Sequence, residues 1–170
     1  LRRAQEKGYA EANPSADVDG LDAARKAAIL ASLAFDTVVG LEDVSVEGIS
    51  HITEDDIEYG VNLGYAIKLL AVGRDTEDGI DIRVHPVFLP QTHPLASVKG
   101  VFNAIFVRGN IIGEAMFYGR GAGSLPTASA VTSDIIEIVR DIVSGTAGRI
   151  KYKIGQKKKL CPVEKTKSSY

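Results

Sequence analysis

Residues 101–118, VFNAIFVRGNIIGEAMFY, decide the fold class of this chain. Two runs rich in β-branched and aromatic residues, Val101 to Val107 and Ile111 to Tyr118, flank the tripeptide Arg108-Gly109-Asn110. Glycine and asparagine tolerate the positive φ that a tight turn needs. The pattern therefore predicts a β-hairpin with its turn at Arg108-Gly109-Asn110.

A second hairpin and a closing helix lie on either side of this stretch. Tyr65 to Val72 and Ile80 to Val87 are strand-like runs around the turn-forming pair Asp78-Gly79, and their spacing predicts a somewhat long loop. Downstream, Pro126 opens a helix that ends near Ser144. The apolar face of this helix consists of Val131, Ile135, Ile138 and Ile142.

The N-terminal third is predicted to be helical. Leu1 to Lys7 forms a first helix, and Asp19 caps a second helix whose run from Ala23 to Phe35 is apolar on nearly every side. Such a helix is expected to be buried. The spacing Thr53-x-x-Asp56 is a capping box, and it starts a short helix that reaches about Asn62.

This order of elements predicts an α+β fold. Helices come first, antiparallel strands follow and a helix closes the chain, which favours one largely antiparallel or mixed sheet covered on one face by helices. We expect one domain over residues 1–148, with the closing helix near 126–144. Residues 149–170 are expected to form a basic linker.

Composition and charge narrow the class of protein. The 170 residues are 45% hydrophobic and 25% charged, which is typical of a globular domain, and no stretch approaches the roughly 20 apolar residues of a membrane span. Cys161 is the single cysteine, so a reducing cytoplasm is expected. Seven lysines against Glu164 give residues 151–170 a charge of +6 within a net charge of −2. No other segment of the sequence adds a basic face to this tail. We therefore favour a solvated linker over a nucleic-acid site.

Four acids and one lysine crowd into sixteen positions, namely Glu11, Asp17, Asp19, Asp22 and Lys26. Ordinary helix chemistry explains part of this cluster, because acids stabilise a helix N-terminus and an Asp–Lys pair at i, i+4 is favourable. A second interpretation is a site for a small zwitterion, in which a loop carboxylate binds an ammonium group. Proton transfer by a lysine there needs burial or a second cation, and none is evident nearby in the chain.

A calcium loop is the third interpretation of this cluster. Ser15, Asp17, Asp19 and Gly20 occupy positions 1, 3, 5 and 6 of an EF-hand register. Position 12 requires a bidentate glutamate but is Lys26, whose positive charge would repel the metal. The sequence therefore argues against calcium.

Two segments carry a resemblance to a known family. GYAEANP at 8–14 and DVDGLDAARK at 17–26 resemble the signature of homoserine dehydrogenases, with its G-Y-x-E-x-x-P and D-x-x-G-x-D-x-x-R-K elements. The resemblance implies that Glu11 holds the substrate amino group and that Asp17 and Asp22 line the homoserine site. It implies that Lys26 shares proton transfer with an upstream lysine, and that Tyr9 lies beside the substrate.

The resemblance covers about residues 1–145 and implies a larger enzyme. It implies NAD- or NADP-dependent interconversion of L-homoserine and L-aspartate 4-semialdehyde, in threonine, methionine and isoleucine biosynthesis, by a homodimer that contacts its partner through the sheet. The dinucleotide-binding domain is expected upstream, a regulatory ACT domain is expected after residue 170, and this chain alone is expected to be inactive. Further matching segments are Glu47-Gly48-Ile49, Ile52-Thr53, His85-Pro86, His93-Pro94-Leu95-Ala96 and residues 119–131.

The glycine-dense bend at Gly119, Gly121 and Gly123 has two interpretations. It lacks the G-x-G-x-x-G spacing and the βαβ context of a dinucleotide fingerprint, so the residues alone favour a flexible corner between a strand and a helix. The resemblance implies instead that this bend borders the nicotinamide cofactor. No metal is expected, since the three histidines share no ligand spacing.

Two rival functions remain open. One is a non-catalytic dimerisation or amino-acid-binding module on the same scaffold, for which replacing Lys26 would change nothing. The other is an oxidoreductase of similar architecture that acts on a different semialdehyde. Neither nucleic acid nor membrane is expected as a partner.

Overall fold

The computed structural model describes residues 13–121, 123–147, 155 and 157–166. The opening helix that the sequence predicts for Leu1 to Lys7 lies outside these residues, and so does the domain boundary expected near residue 148, which stays a prediction. The described residues fall into two units. We call 13–96 with 155 and 157–166 the helix-covered unit, and 97–147 the hairpin–helix unit.

The helix-covered unit contains three helices and three strands. Its elements are α1 (Ser15–Val18), α2 (Leu21–Ala34), β1 (Ser45–Val46), α3 (Glu54–Asn62), β2 (Tyr65–Thr76) and β3 (Gly79–Pro90), with 3-10 turns at Leu41–Asp43 and Val163–Lys165. The strands form a mixed sheet in the order β1-β3-β2, in which β1 runs parallel to β3 and β2 antiparallel. Both α2 and α3 pack on this sheet. The predicted α+β class is confirmed.

The hairpin of β2 and β3 is tighter than the sequence predicts. Thr76 pairs with Gly79, which leaves only Glu77 and Asp78 as loop residues instead of a long loop. Gly79 adopts φ +126°, a conformation that glycine alone adopts without strain, and the Thr76 hydroxyl donates a 2.6 Å hydrogen bond to the Gly79 carbonyl. Both strands therefore extend to twelve residues.

The core of this unit lies between α2 and β3. Alternate residues of β3, Ile80, Ile82 and Val84, are buried against the alanine stripe Ala24, Ala27, Ala28 and Ala31 of α2. Small side chains allow the helix backbone to approach the sheet closely. The predicted burial of α2 is confirmed for this alanine stripe, but not for the outer side chains Ile29, Leu30 and Leu33, which are exposed.

Helix capping follows the sequence at α3 but not at α2. The Thr53 hydroxyl accepts from the Asp56 N–H at 3.2 Å and the Asp56 carboxylate accepts from the Thr53 N–H at 2.8 Å, which confirms the predicted capping box. The Thr53 hydrogen bonds lower the pKa of Asp56. The predicted cap of α2 by Asp19 is wrong. Gly20 holds the N-cap position, and no side chain caps the helix.

The hairpin–helix unit contains β4 (Phe102–Gly109), β5 (Gly113–Arg120) and α4 (Ser124–Val143). β4 and β5 form a separate two-stranded sheet, so the expectation of a single sheet is wrong. Their turn is residues 110–112, shifted from the predicted Arg108-Gly109-Asn110, because Gly109 pairs with Gly113 and the positive φ falls on Gly113. α4 begins two residues before Pro126.

Apolar side chains of this second unit are largely exposed. The sequence favours a core or a subunit interface for the apolar strand residues Phe102, Ile105, Val107, Ile112 and Met116. Phe102 is half-buried, whereas the other four side chains are exposed within the described residues. α4 has no buried residue among those described. The core interpretation is therefore wrong for these side chains in this structure, and the interface interpretation stays a prediction.

The C-terminal strap, residues 155 and 157–166, packs on the helix-covered unit. The Lys158 N–H donates to the Thr37 hydroxyl at 2.8 Å, and Leu160 forms a parallel bridge with Ile80. Lys157 lies 3.1 Å from Asp43. The sequence predicts a solvated linker, but the strap backbone is bound to the unit while its lysine side chains stay exposed. Among the described helices, none has the length and apolar character needed to cross a bilayer.

Candidate functional site

A sharp corner between α1 and α2 sets the geometry of the predicted site. Gly20 is buried at this corner with φ +80°. A Cβ there would lie 3.0 Å from Val84 Cγ1 and 3.3 Å from Val46 Cγ1. Only glycine combines this left-handed conformation with so close an approach to the sheet. The corner is therefore fixed against β1 and β3, and α2 starts at a defined place.

The loop after β1 supports the same corner from another side. The Ile49 N–H donates to the Val18 carbonyl at 2.8 Å. A Cβ on Gly48 would lie 2.6 Å from the Val18 carbonyl oxygen and 2.7 Å from Asp19 Cα, so this position also requires glycine. No local pattern in the sequence predicts the packing roles of Gly20 and Gly48. The available signal was that both lie in segments resembling the family signature.

The structure brings Asp22 and Lys26 together on the first turns of α2. Lys26 Nζ donates to Asp22 Oδ2 at 2.6 Å, with 61% of the lysine side chain and 43% of the aspartate side chain exposed. An exposed pair at i, i+4 stabilises a helix by only about 0.3–0.5 kcal/mol. The pair is therefore too weak to explain the fold, and a ligand can exchange with either partner at little cost.

Of the other predicted substrate residues, the structure describes only Asp17. Asp17 is exposed on α1, and within the described residues its side chain forms no hydrogen bond or ion pair with Asp22 or Lys26. Glu11 and Tyr9 lie outside the described residues. The structure thus brings Asp22 and Lys26 into contact and places Asp17 on the preceding helix, α1. That all five share one pocket stays a prediction.

This arrangement suits a small ligand with an ammonium group and a hydroxyl. Asp22 lies in the first turn of α2 and can accept hydrogen bonds, while Lys26 donates one turn later. A carboxylate binds an ammonium, and a lysine can exchange a proton with a hydroxyl. Both groups face solvent and are accessible to a ligand.

Two glycines of the bend are paired with backbone groups of the neighbouring strand and loop. Gly119 pairs with Asn103, and the Gly121 N–H donates to the Val101 carbonyl at 3.0 Å. A Cβ on Gly121 would collide with the Asn103 side chain, and Gly123 has φ +122° as it opens α4 without a side-chain cap. The three glycines thus lie at the corner between β5 and α4, as the residues alone predict, and the flexibility of this corner stays a prediction. Contact with a cofactor stays a prediction.

Histidine and cysteine side chains have local roles. His93 Nδ1 accepts from the Leu95 N–H at 3.1 Å, and His51 lies 3.3 Å from Glu47. Cys161 is a half-buried free thiol. In the part of the chain that the structure describes, no three His, Cys, Asp or Glu side chains are grouped to hold a metal ion.

Comparison with known proteins gives one consistent family. The family model described as homoserine dehydrogenase matches residues 1–136. The homoserine dehydrogenase of Bacillus subtilis is 49% identical over 148 residues, covering 87% of this chain and 34% of the relative. That of Synechocystis is 56% identical over 149 residues, covering 85% and 34%, and that of Neisseria gonorrhoeae is 45% identical, covering 100% and 40%.

Solved structures agree with the sequence comparison. A crystal structure of a homoserine dehydrogenase from Thiobacillus denitrificans superposes with a TM-score of 0.83 at 43% identity, covering 89% of this chain and 35% of that one. A hyperthermophilic archaeal homoserine dehydrogenase in complex with NADPH gives a TM-score of 0.63 at 34% identity, covering 80% and 38%. The chain thus spans about 34–40% of the length of the curated relatives described above.

Proposed function

The chain belongs to the homoserine dehydrogenase family, and from this premise we propose that it is the substrate-binding part of an oxidoreductase that interconverts L-homoserine and L-aspartate 4-semialdehyde. The observation that carries the proposal is the exposed Asp22–Lys26 pair at the start of α2, inside the matched signature 17–26. The pathway is amino-acid biosynthesis, toward threonine, methionine and isoleucine. We also propose a cytoplasmic location, with which a single cysteine outside any disulfide is compatible.

The proposed division of labour uses charge complementarity. Glu11 receives the ammonium group of homoserine, and Tyr9 lies beside the substrate. Asp17 and Asp22 add negative charge around that end of the molecule, and Asp22 also orients Lys26 through their 2.6 Å hydrogen bond.

Lys26 is the group we propose to exchange a proton with the substrate hydroxyl. Reduction of the aldehyde adds a hydride to its carbon and a proton from the Lys26 ammonium to its oxygen. Oxidation of the alcohol is the reverse reaction, in which the neutral amine takes the proton back. In the family a second lysine shares this step. NAD or NADP supplies the hydride chemistry when bound, and a neighbouring family member is a complex with NADPH.

The glycine bend is the part of this chain that we propose to border the cofactor. Gly119, Gly121 and Gly123 have no side chains, and the first turn of α4 has no side-chain cap, so backbone N–H groups there can meet a phosphate or ribose oxygen. Neither described unit contains the βαβ scaffold that binds a whole dinucleotide. We therefore expect this chain by itself not to oxidise homoserine.

Substitution of Lys26 in the full-length protein tests the function. Lys26→Met is expected to lower kcat for homoserine oxidation by roughly 10²–10⁴-fold, the usual contribution of a general acid–base group. Lys26→Arg keeps the charge but not the proton transfer, so its loss should be similar. Lys99→Met, at an exposed lysine outside the site, is the matched control and should retain activity. Full activity of Lys26→Met would remove the proton-transfer role of Lys26. A full-length protein that never oxidises homoserine would support a non-catalytic module instead.

We also propose that the β4–β5 sheet contributes a homodimer contact. Ile105 faces Phe117 across the strands, and Val107 lies two residues further on the same face; all three side chains are exposed in the described residues. An apolar face of this kind is typical of a subunit interface. Ile105→Glu should convert dimer to monomer in sedimentation equilibrium, and an unchanged mass would remove this contact from the proposal.

A further inference from the structure

A short segment at the end of β1 packs against the corner between α1 and α2. We call this segment, residues 46–49, the corner clamp. Val46 lies beside Gly20, since a Cβ on Gly20 would be 3.3 Å from Val46 Cγ1. The Glu47 N–H donates to the Val84 carbonyl at 2.7 Å. The clamp is therefore anchored on β3 and contacts the corner from that fixed position.

The backbone of the clamp touches the backbone of the corner at Gly48. The Ile49 N–H donates to the Val18 carbonyl at 2.8 Å. A Cβ on Gly48 would lie 2.6 Å from that carbonyl oxygen and 2.7 Å from Asp19 Cα, and separations below 3.0 Å are too short for a Cβ contact. Backbone atoms cannot rotate away as the end of a long side chain can. Any side chain at position 48 therefore has to displace residues 18 and 19.

The two helices that meet at this corner are anchored unequally. The core holds α2, because Ala24, Ala27 and Ala28 are buried against β3. In contrast, none of the four residues of α1 is buried. A side chain at position 48 should therefore shift α1 more than it shifts α2.

This unequal anchoring separates two parts of the candidate site. Asp17 is exposed on α1 and, within the described residues, makes no hydrogen bond or ion pair with Asp22 or Lys26, so its place depends on the backbone of α1. The Asp22–Lys26 pair lies on the anchored helix α2. We propose that Gly48 is a positioning residue, whose lack of a side chain fixes Asp17 relative to this pair and so sets the affinity for the substrate ammonium group.

This inference rests on the proposed function, and kinetics of Gly48→Ala in the full-length protein test it. KM for homoserine should rise about tenfold, the worth of one charge-assisted hydrogen bond, because Asp17 is displaced from the ammonium group. By contrast, kcat and KM for the nicotinamide cofactor should change less than about threefold, because Lys26 stays in place. Plain destabilisation instead lowers the active fraction and hence kcat, and leaves KM unchanged. An unchanged homoserine KM overturns the inference.

A double-mutant cycle shows whether Gly48 acts through Asp17. Asp17→Asn removes the negative charge and should by itself raise KM for homoserine about tenfold. Adding Gly48→Ala to Asp17→Asn should then have little further effect, because the carboxylate that Gly48 positions is already absent. If the two effects instead multiply to about a hundredfold, Gly48 acts elsewhere and the inference fails.

Two valine truncations decide the matter if Gly48→Ala does not fold. Val46→Ala loosens the clamp beside Gly20 and should raise KM for homoserine by a smaller factor, because the backbone contact at Gly48 remains. Val44→Ala, at a buried core residue two positions earlier, is the matched control, and it should lower stability without changing KM. Equal KM values in these two variants contradict a positioning clamp.

The two proposals fail in different ways. If the full-length protein with an unchanged sequence oxidises no homoserine, the proposed function fails and the inference about Gly48 fails with it. If that protein is active and Gly48→Ala retains its homoserine KM, only the positioning role of Gly48 is lost. Gly60→Ala, at a buried glycine of α3 whose added Cβ would lie 3.3 Å from the Phe88 ring, controls for the substitution itself and should leave this KM unchanged.

Discussion

Helices α2 and α4 differ in what covers their apolar sides. α2 buries the stripe formed by Ala24, Ala27, Ala28 and Ala31 under β3. α4 is longer and carries larger apolar side chains at helical spacing, yet none of its described residues is buried. Hydrophobic periodicity therefore predicts a helix and which of its sides needs a partner. It does not predict which segment or chain supplies that partner.

The difference between the two helices comes from the size of their apolar side chains and from the presence of β3 beside α2. β3 presents Ile80, Ile82 and Val84, and alanines on α2 let the two backbones approach until these side chains fill the gap. The exposed face of α4 is larger than isolated surface residues explain, and such faces mark interaction surfaces. The curated relatives compared above are longer proteins, of which this chain spans about 34–40%.

Truncation of a core isoleucine should cost much more unfolding free energy than truncation of an isoleucine on α4. Ile80→Ala should lower the free energy of unfolding by about 3 kcal/mol, because Ile80 is 2% exposed and truncation leaves a cavity. Ile138→Ala on α4 should change it by less than about 0.5 kcal/mol, because this side chain is exposed. Urea unfolding of this 170-residue chain measures both. Equal losses would show that α4 is covered in solution.

A second substitution tests how closely the corner between α1 and α2 packs on the sheet. Gly20→Ala should cost about 2 kcal/mol, since it combines a left-handed φ with a Cβ 3.0 Å from Val84. Gly64 has a similar φ of +82° but nothing within 4 Å, so Gly64→Ala is a matched control that measures the backbone cost alone. The difference in thermal unfolding is the packing contribution. If the two variants lose equal stability, close packing at Gly20 contributes nothing.

A smaller effect concerns the C-terminal strap. Thr37→Val should cost about 1 kcal/mol, because it leaves the Lys158 N–H without its 2.8 Å acceptor. The lysines at 157–159 should then become more susceptible to trypsin. Thr132→Val, on the exposed surface of α4, serves as the control. Identical cleavage rates in the two variants would argue against a docked strap.

The smallest effect is a dependence on pH within the helix-covered unit. The Gly40 N–H, 2.9 Å from the Asp43 carboxylate, and Lys157 lower the pKa of Asp43 below 3.8. A depressed pKa stabilises the fold fully above about pH 4, and this contribution disappears as the pH falls through the folded value. Melting temperatures between pH 6 and pH 3 should therefore fall less steeply in Asp43→Asn. A parallel fall in both proteins would exclude a contribution from Asp43.

Local sequence patterns predicted the elements well where local chemistry decides them. The capping box at Thr53 and Asp56, the two hairpins and the closing helix all follow from spacing and residue type. The prediction failed where contacts between residues far apart in the sequence determine the local structure. Gly20 replaces Asp19 as the N-cap of α2 because the corner packs against Val84, which is far away in the sequence.

The candidate site was predictable to a similar extent. The i, i+4 spacing of Asp22 and Lys26 on a helix dictates their contact, and the structure contains it. The supporting role of Gly48 depends on a loop meeting the α1–α2 corner, and no local pattern signals such a contact. The strap was missed for the same reason, since a basic composition does not reveal that its backbone pairs with the start of β3.

By itself the sequence determined the α+β class, the positions of most helices and strands, and the family, because these depend on periodicity, turn residues and a signature of fixed spacing. Only the tertiary structure decided which apolar faces are buried, that the strands form two sheets, and that the C-terminal strap is docked. The physical reason is that burial and strand pairing join residues far apart in the chain. Their free energy depends on the shape of the partner surface, which a local pattern does not contain.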